Sequence, residues 1–527
     1  MNYRKFQVFL FLLAALGCRV IQTGGADLWH GEISWLTRSA GDFSGSPLFC
    51  VLLNLWSLPS VDETWLRLLP FLFSLAAALM VYLVARKAFD GNGLLETGVL
   101  VAVSPLLCSA AWEVHPCSLE LFAAAFWLYA FLRLPADRGW SGTALVALAT
   151  AVAVTANPLL ALLAPAQVVT LLLFRRREKG AALRWAVAFA MGVVVVAAAV
   201  LPSWNDEETP AQASARGEQV AGSRRALAGH DVGYLFTDIS LGRLFPWAPV
   251  TPILTFNPPG FETPEQQSRA IGSPEENTAI WFWQGMQLLL LGLLAATVIL
   301  AGLAVWRIRT RPLPRYLKEK FIRKLPGDPA REGAALFLLS LLLPVAYCLT
   351  VARNMDAPFP ERRLLFLAVP FLLLVGRGFV GLQWAATRII LVYFVAILSL
   401  AYSIFSSEVK VAATGIDQTA RAVCDGWREG DVVVTDAFAA SPFRWYSGID
   451  PVDNSRKVAE CRRLWVVRFA PPEGSENEGL SLFLAGSGFG RNGDGRERPF
   501  LRKNPDAEEV VSKPAGNYSL HLWAAGD

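Results

Sequence analysis

Charged side chains are scarce in this sequence. Asp, Glu, Lys and Arg make up 17% of its 527 residues, whereas a soluble globular protein carries about 25%. Hydrophobic residues reach 54%, and the mean hydropathy is +0.39. Apolar runs recur along the chain that are long enough to cross a hydrocarbon core about 30 Å thick. This composition excludes an ordinary soluble enzyme and predicts a polytopic membrane protein.

Several patterns that would indicate other functions are absent. No Gly-rich phosphate loop follows a predicted strand, so nothing points to a nucleotide site. The seven cysteines lack metal-ligand spacing. Many transporters are built from internal repeats, and no such repeat relates the two halves of this chain. The basic run from Arg307 to Lys324 has no folded basic domain around it, which argues against nucleic-acid binding.

About eleven apolar segments are candidate transmembrane helices, judged by length and apolar content. They are residues 6–22, 64–85, 94–111, 117–133, 141–156, 158–174, 182–202, 279–306, 334–352, 363–380 and 388–405. The first is interpreted as an uncleaved signal anchor, because no small-x-small cleavage site precedes the loop that follows it.

Lysine and arginine are concentrated in alternate loops, and this bias sets the orientation. The basic positions include Arg4-Lys5, Arg86-Lys87, Arg133, Arg175–Lys179 and Arg307–Lys324. We expect these loops in the cytoplasm, together with the N-terminus. With an odd number of spans, the C-terminus then lies outside.

The predicted topology gives a transmembrane domain over residues 1–405, with outer loops over about residues 23–63 and 203–278, and an extracytoplasmic tail over residues 406–527. The tail alternates helices and strands, which predicts a small α/β domain with a partly parallel sheet. Its predicted helices are 415–427 and 441–446, and its predicted strands are 431–435, 464–469 and 518–523. An extracytoplasmic location of this tail would allow Cys424 and Cys461 to form a disulfide.

Ionisable residues at the outer surface are the candidates for a functional site, because a charge near hydrocarbon is costly unless it faces water, a partner or a substrate. The first outer loop carries Asp27, His30, Glu32 and Asp42. The stretch around Glu32 is predicted as a short interfacial helix. Glu32 is either a solvated charge on that helix or a general base that takes a proton from an acceptor hydroxyl.

A second group lies at the outer ends of later spans. Glu113 and His115 are either interfacial residues of a turn broken by Pro116 or part of a site. Glu120 lies one turn inside the following span, where a carboxylate should face a polar cavity or a partner.

Three arginines run against the positive-inside trend. Arg67 begins the second span, and Arg362 and Arg363 precede the tenth. A guanidinium group matches a phosphate bidentately, so these residues are candidates for a lipid phosphate. Ion pairs of Arg362 and Arg363 with Glu361 or Asp356 are the alternative.

Taken in order, these elements resemble the polytopic glycosyltransferases of the GT-C fold, in particular the branch with protein O-mannosyltransferases and the lipid A aminoarabinose transferase. The elements are Leu28-Trp-His-Gly-Glu32, Ser46-Pro-Leu-Phe49, Asn54-Leu-Trp56, Glu63-Thr-Trp-Leu-Arg-Leu-Leu-Pro70, Tyr82-Leu-Val-Ala-Arg-Lys-Ala-Phe89, Ser104-Pro105, Glu113-Val-His-Pro-Cys117 and Arg362-Arg363 before Pro370. The resemblance is most detailed over about residues 25–135. Gly31 stands where the family's acidic pair usually has Asp, and His115 stands where an Arg is common.

The resemblance implies transfer of a hexose or pentose from a polyprenyl-phosphate donor to a lipid, glycan or protein acceptor on the outer face of the cell (inner) membrane. It implies that Glu32 is the base of a direct displacement with inversion, and that Arg362 or Arg363 meets the donor phosphate. Glu113 would be the second catalytic residue, and together with His115 it would orient the substrate. A need for Mg²⁺ or Mn²⁺ is left open, since one carboxylate alone binds either ion poorly.

Two alternatives remain open from the sequence. One is a catalytically degenerate relative with a binding role, which Gly31 suggests. The other is a lipid or sugar transporter, which would explain the many spans and a carboxylate such as Glu120 inside one of them.

Overall fold

The computed structural model describes most of the helical part of the chain and the core of its tail. The described residues are 3–20, 28, 32–33, 35–36, 46–89, 94–134, 140–174, 180–200, 289, 292–293, 295–304, 329–355, 361–382, 384–412, 416–435, 440–451, 458, 461–469, 508–515 and 518–524. Within them the architecture is mostly helical, as predicted.

The helices, numbered in chain order, are α1 (Tyr3–Val20), α2 (Pro47–Ser57), α3 (Glu63–Ala88), α4 (Leu94–Ala102), α5 (Pro105–Ser109), α6 (Cys117–Arg133), α7 (Trp140–Ala156), α8 (Leu163–Phe174), α9 (Ala181–Val200), α10 (Ala295–Ala304), α11 (Pro329–Met355), α12 (Ala368–Gly381), α13 (Ala385–Ala412), α14 (Ile416–Gly426) and α15 (Ala440–Ser447). The 3₁₀ helices Pro158–Leu162 and Glu361–Leu367 precede α8 and α12.

The predicted span 94–111 is broken into two helices. Proline lacks a backbone N–H and disfavours helical geometry in the residue before it. Ser104 accordingly has φ −56° and ψ 119°, and the short helix α5 begins at Pro105. Helix α2, which begins with Pro47, lies within the predicted outer loop 23–63 and was not expected.

Two helices in the described part of the chain are long and apolar enough to cross a membrane, Glu63–Ala88 and Glu332–Thr350. Other apolar helices are shorter, among them Trp140–Ala156 and Ala386–Ala401. The predicted number of eleven spans is therefore not confirmed by helix length alone.

The chain divides into two compact units. The first, called the helical unit here, comprises Met1–Gln22, Arg38–Leu244 and Leu290–Ser403. The second, called the sheet unit, comprises Thr23–Thr37, Phe245–Leu289 and Ile404–Asp527. The stretch around Glu32 therefore folds with the C-terminal tail.

In the helical unit, α3 packs against α6, α6 against α7 and α7 against α9. Helix α4 lies against α1, α3 and α12. An ion pair joins Arg388 Nε of α13 to Glu96 Oε1 of α4 at 2.8 Å. Such a pair satisfies two charges that would be costly next to hydrocarbon.

Glycine lets helices of this unit approach closely. A Cβ atom at Gly376 of α12 would overlap the side chain of Thr97 on α4. A Cβ atom at Gly333 of α11 would come within 2.8 Å of the Cβ atom of Ala88 on α3. Small residues at helix crossings are typical of helix packing in membranes.

We expect Gly376→Ala to lower stability by about 1–3 kcal/mol, because the added methyl group forces α12 away from Thr97. Gly302→Ala is the matched control, since no atom of the described residues lies within 4 Å of the position of its Cβ. It should be neutral or slightly stabilising, as Ala favours a helix. The midpoint of thermal unfolding in detergent measures both. Equal midpoints for the two variants would contradict the close crossing.

The sheet unit contains a four-stranded mixed sheet of β1 (Val432–Thr435), β2 (Arg463–Phe469), β3 (Glu508–Ala515) and β4 (Tyr518–Ala524). The strand order is β1-β2-β4-β3, with β1 parallel to β2 and the other neighbours antiparallel. Strands and helices were predicted close to where β1, β2, β4, α14 and α15 lie, whereas β3 was missed.

Alternate residues of the strands enter two apolar clusters. Val433 and Trp465 belong to one, which includes Ile416 of α14 and Phe443 of α15. Val434 and Val466 belong to the other. This period of two is what a strand requires to bury both of its faces.

The pairing of Cys424 with Cys461 is not observed. Both are thiols, with Cys424 exposed on α14 and Cys461 buried before β2. The Cys461 thiol donates to the carbonyl of Val458 at 3.1 Å. Desolvation, and after it the charge of Asp425, raises the pKa of Cys424, which keeps it a thiol at neutral pH.

Candidate active site

The turn between α5 and α6 carries Glu113 and His115. It is tight: the N–H of His115 donates to the carbonyl of Glu113 at 2.7 Å. His115 Nδ1 accepts from the N–H of Cys117 at 3.2 Å. In the neutral imidazole the proton is thus on Nε2. The backbone of the turn therefore fixes both the position of the ring and its tautomer.

A buried arginine of α1 supports this turn. Arg19 is fully buried, and its Nε donates to Ser74 Oγ of α3 at 2.9 Å. Its Nη1 donates to the carbonyls of Ala15 at 2.8 Å and Ala102 at 3.3 Å. Ala102 is the last residue of α4, so its carbonyl has no partner within the helix. Arg19 therefore satisfies an acceptor that the break at Pro105 leaves open.

The same group of bonds reaches the turn directly. Ser74 Oγ donates to the carbonyl of Leu107 in α5. The indole N–H of Trp112 donates to the backbone carbonyl of Arg19. Arg19 was not selected from the sequence, although a lone arginine near the end of an apolar span is itself a signal, because such a charge must face the protein interior.

Aromatic contacts bring Arg67 and Glu120 to the same end of the helical unit. Phe71 of α3 packs on Trp112, with ring centroids 5.3 Å apart. Phe73 packs on Phe122 of α6 at 5.9 Å. Arg67 lies one helical turn before Phe71 on the same face, and Glu120 lies two residues before Phe122. The start of α3, the turn and the first turns of α6 therefore adjoin.

Most of the ionisable side chains in this group are buried. Glu113 is 0% exposed, Arg67 5% and Glu120 6%, whereas His115 is half-buried. The carboxylates of Glu113 and Glu120 both act electrostatically on the Cys117 thiol. A guanidinium group and two carboxylates thus share one end of the helical unit, away from bulk water. Charges buried in this way should face a partner or a substrate.

Glu32 belongs to the sheet unit and is also fully buried. Leu28, four residues earlier, is buried as well, and its N–H donates to the hydroxyl of Tyr446 on α15 at 2.8 Å. Tyr446 packs on the apolar cluster beneath the sheet. The alternative in which Glu32 is a solvated surface charge is therefore wrong. No local pattern pointed to the contact with α15, because the two residues are 418 positions apart.

The remaining predicted residues fall outside what the structure describes. Asp27, His30 and Asp42 lie outside the described residues, and only the backbone of Arg362 and Arg363 is described. That backbone belongs to the 3₁₀ helix Glu361–Leu367, which packs against α6. Among the described residues, no three His, Cys, Asp or Glu side chains form a group able to hold a metal ion.

A family model described as dolichyl-phosphate-mannose-protein mannosyltransferase matches residues 47–204. Arg67, Glu113, His115 and Glu120 all lie in this range. The match confirms, over that part of the chain, the resemblance to GT-C polytopic glycosyltransferases that the sequence elements indicated. No curated protein matches the chain in sequence.

Several solved structures show a distant likeness to this chain. ArnT from Cupriavidus metallidurans bound to undecaprenyl phosphate is 15% identical, with 98% of this chain and 97% of that chain covered and a TM-score of 0.46. The arabinofuranosyltransferase AftD from Mycobacteria is 14% identical, with 100% and 40% covered and a TM-score of 0.49. The archaeal oligosaccharyltransferase AglB from Archaeoglobus fulgidus, in complex with an inhibitory peptide and a dolichol-phosphate, is 11% identical, with 100% and 75% covered and a TM-score of 0.45.

Proposed function

We propose that this chain is a multipass membrane glycosyltransferase that moves a sugar from a polyprenyl-phosphate donor to an acceptor at the membrane surface. The observation that supports this most directly is the family match over residues 47–204, whose range contains the buried group Arg67, Glu113, His115 and Glu120. A binding site for a charged, lipid-linked substrate needs such groups at the end of a helix bundle.

In the proposed reaction, an acceptor hydroxyl attacks the anomeric carbon of the sugar. The bond between that carbon and the phosphate oxygen breaks, and polyprenyl phosphate leaves. Glu32 takes the proton of the attacking hydroxyl, which is the task of a general base. The displacement inverts the anomeric centre.

Arginine supplies the counter-charge for the departing phosphate. We assign this task to Arg67 together with Arg362 or Arg363, since a guanidinium group binds two phosphate oxygens at once. Glu113, His115 and Glu120 orient the sugar, since carboxylate and imidazole groups accept hydrogen bonds from sugar hydroxyls. Asp27, His30 and Asp42 are proposed to contribute to the same substrate-binding role.

The basic loops support an orientation with the N-terminus in the cytoplasm and the tail outside the inner membrane. The proposed reaction then takes place at the extracytoplasmic face. The donor sugar is a hexose or a pentose, and the acceptor is a lipid, a glycan or a protein.

The proposed function is tested by a transfer assay. The purified full chain, in liposomes with radiolabelled polyprenyl-phosphate mannose or arabinose and a lipid extract of the host, should release polyprenyl phosphate faster than protein-free liposomes. The same assay with and without EDTA decides whether Mg²⁺ or Mn²⁺ is required.

A second candidate function is binding without transfer, which Gly31 favours because it stands where a second acid is usual in the resembling family. If the folded protein binds a labelled donor but releases no polyprenyl phosphate with any donor, the binding function replaces the proposed transferase activity. Folded protein that neither binds nor turns over any donor would contradict both.

A further inference from the structure

An apolar cavity of about 230 Å³ lies between α1, α3 and α4. Its lining includes Phe11 of α1, Tyr82 of α3 and the α4 residues Leu95, Gly98 and Val99. The rings of Phe11 and Tyr82 stack at 5.0 Å and form one wall. Leu95 is 67% exposed, so the cavity opens on the outside of the helices, where lipid is expected.

Gly98 keeps this cavity open. A Cβ atom at this position would lie 3.4 Å from the Phe11 ring and 3.6 Å from the Tyr82 ring, which is ordinary contact. A longer side chain would therefore extend into the space between α4 and the two rings. The cavity follows α4 from Leu94 to Ala102, a length of about 12 Å at 1.5 Å per residue.

A positive charge lies at one end of the cavity. Arg86 is one helical turn beyond Tyr82 on the same face of α3, and it acts electrostatically on the Tyr82 hydroxyl. Its side chain is exposed, and no carboxylate in the described part of the chain forms an ion pair with it. An open apolar slot thus ends at a cation that is available to a ligand.

We infer that this cavity binds an acyl chain of an anionic phospholipid whose phosphate is held by Arg86. The combination of charge and shape favours this occupant, because the slot takes a chain of methylenes and the guanidinium group matches a phosphate. Arg86 lies in the last turn of α3, at the end of the helix that we expect on the cytoplasmic side, where the membrane carries anionic lipids.

The position of the cavity separates it from the site proposed for the sugar donor. Arg86 and Arg67 are 19 residues apart on the single helix α3, which corresponds to about 28 Å. The two arginines therefore lie at opposite ends of a helix long enough to span the bilayer. The lipid site does not depend on the transfer reaction.

Native mass spectrometry of the full chain, titrated with phosphatidylglycerol and phosphatidylcholine of identical acyl chains, tests this inference. We expect phosphatidylglycerol to bind about fivefold more tightly, the effect of one cation near an anionic lipid. Arg86→Gln should remove this preference. Gly98→Leu, which fills the cavity, should weaken the binding of both lipids on the order of tenfold.

Arg133→Gln is the matched control, because it removes an exposed arginine at the end of α6 and leaves the cavity intact. It should bind both lipids as the unmodified protein does. Leu95→Trp narrows the exposed mouth and serves as a second filling variant if Gly98→Leu does not fold.

Four outcomes would overturn the inference. In the first, the unmodified protein binds the two lipids equally. In the second, the filling variant that folds binds them as before. In the third, Arg133→Gln loses the preference as fully as Arg86→Gln. In the fourth, undecaprenyl phosphate displaces phosphatidylglycerol in an Arg86-dependent manner, which would make an isoprenoid the occupant.

Discussion

Glu32→Gln is expected to lower the rate of sugar transfer by about 10²- to 10⁴-fold, the usual contribution of a general base. Glutamine has the same shape and still forms hydrogen bonds, but it does not accept the proton of the acceptor hydroxyl. Because Glu32 is fully buried, an amide in its place also removes the cost of a buried charge. The fold should therefore survive while the reaction stops.

The measurement is the release of polyprenyl phosphate, combined with the unfolding midpoint of each variant and with glycan or lipid analysis of the host. Asp431→Asn is a matched control, since Asp431 is another buried carboxylate of the sheet unit with an evident structural task. It accepts from Trp465 Nε1 at 2.9 Å and from the N–H of Arg428 at 3.0 Å. Its replacement should cost about 1–3 kcal/mol of stability without stopping transfer.

Glu113→Gln distinguishes the two candidate bases. If Glu32→Gln retains full transfer while Glu113→Gln loses it, then Glu113 is the base and the role assigned to Glu32 is wrong. If Glu113 instead orients the substrate, its variant should raise KM more than it lowers kcat.

Arg19→Ala is expected to destabilise the helical unit by about 2–5 kcal/mol. The variant loses three hydrogen bonds, to Ser74 Oγ and to the carbonyls of Ala15 and Ala102. Each hydrogen bond between membrane helices is worth about 0.6–1.7 kcal/mol. The truncation also leaves an empty space among packed helices, which adds to the cost.

The charge of Arg19 lowers the stability of the folded protein, because removing a guanidinium group from water costs free energy. This cost offsets part of what the hydrogen bonds contribute. Arg19→Met fills the space without charge, so we expect a smaller loss of stability than for alanine. Arg19→Lys keeps the charge but not the planar group with several donors, so it should rescue the fold only in part.

Arg133→Ala is the control for Arg19→Ala, because it removes an exposed arginine and should change stability by less than about 0.5 kcal/mol. The midpoint of unfolding in detergent measures the series. If Arg19→Ala is as stable as Arg133→Ala, the hydrogen bonds of Arg19 around the break at Pro105 do not hold the turn in place.

Local patterns in the sequence predicted those helices and strands whose formation depends on one short segment of the chain. Helix α6 begins and ends at the predicted residues 117 and 133. Pro116 marks its start, and the apolar run that begins at Leu121 ends at the charge of Arg133. The strands β1, β2 and β4 were predicted for a similar reason, since each is a compact run of branched and aromatic residues. Helix α2 was missed because its 11 residues are too few for a span.

The candidate site was predicted only in its parts. Glu32, Arg67, Glu113 and Glu120 stood out as charges near hydrocarbon, and the structure buries all four. Their surroundings were not predictable, because they consist of contacts between distant segments. Examples are the bond from Leu28 to Tyr446 and the bonds from Arg19 to Ser74 and Ala102.

The sequence by itself determined the class of this protein, since the scarcity of charge and the recurring apolar runs indicate a membrane protein. The break before Pro105 also has a local cause, although the apolar content of residues 94–111 predicted one continuous helix. Only the tertiary structure decided which charges are buried and what they contact. The reason is physical: hydropathy is summed over neighbours in the chain, whereas the burial of Glu32 or Arg19 depends on residues that meet only when the helices and the sheet have packed.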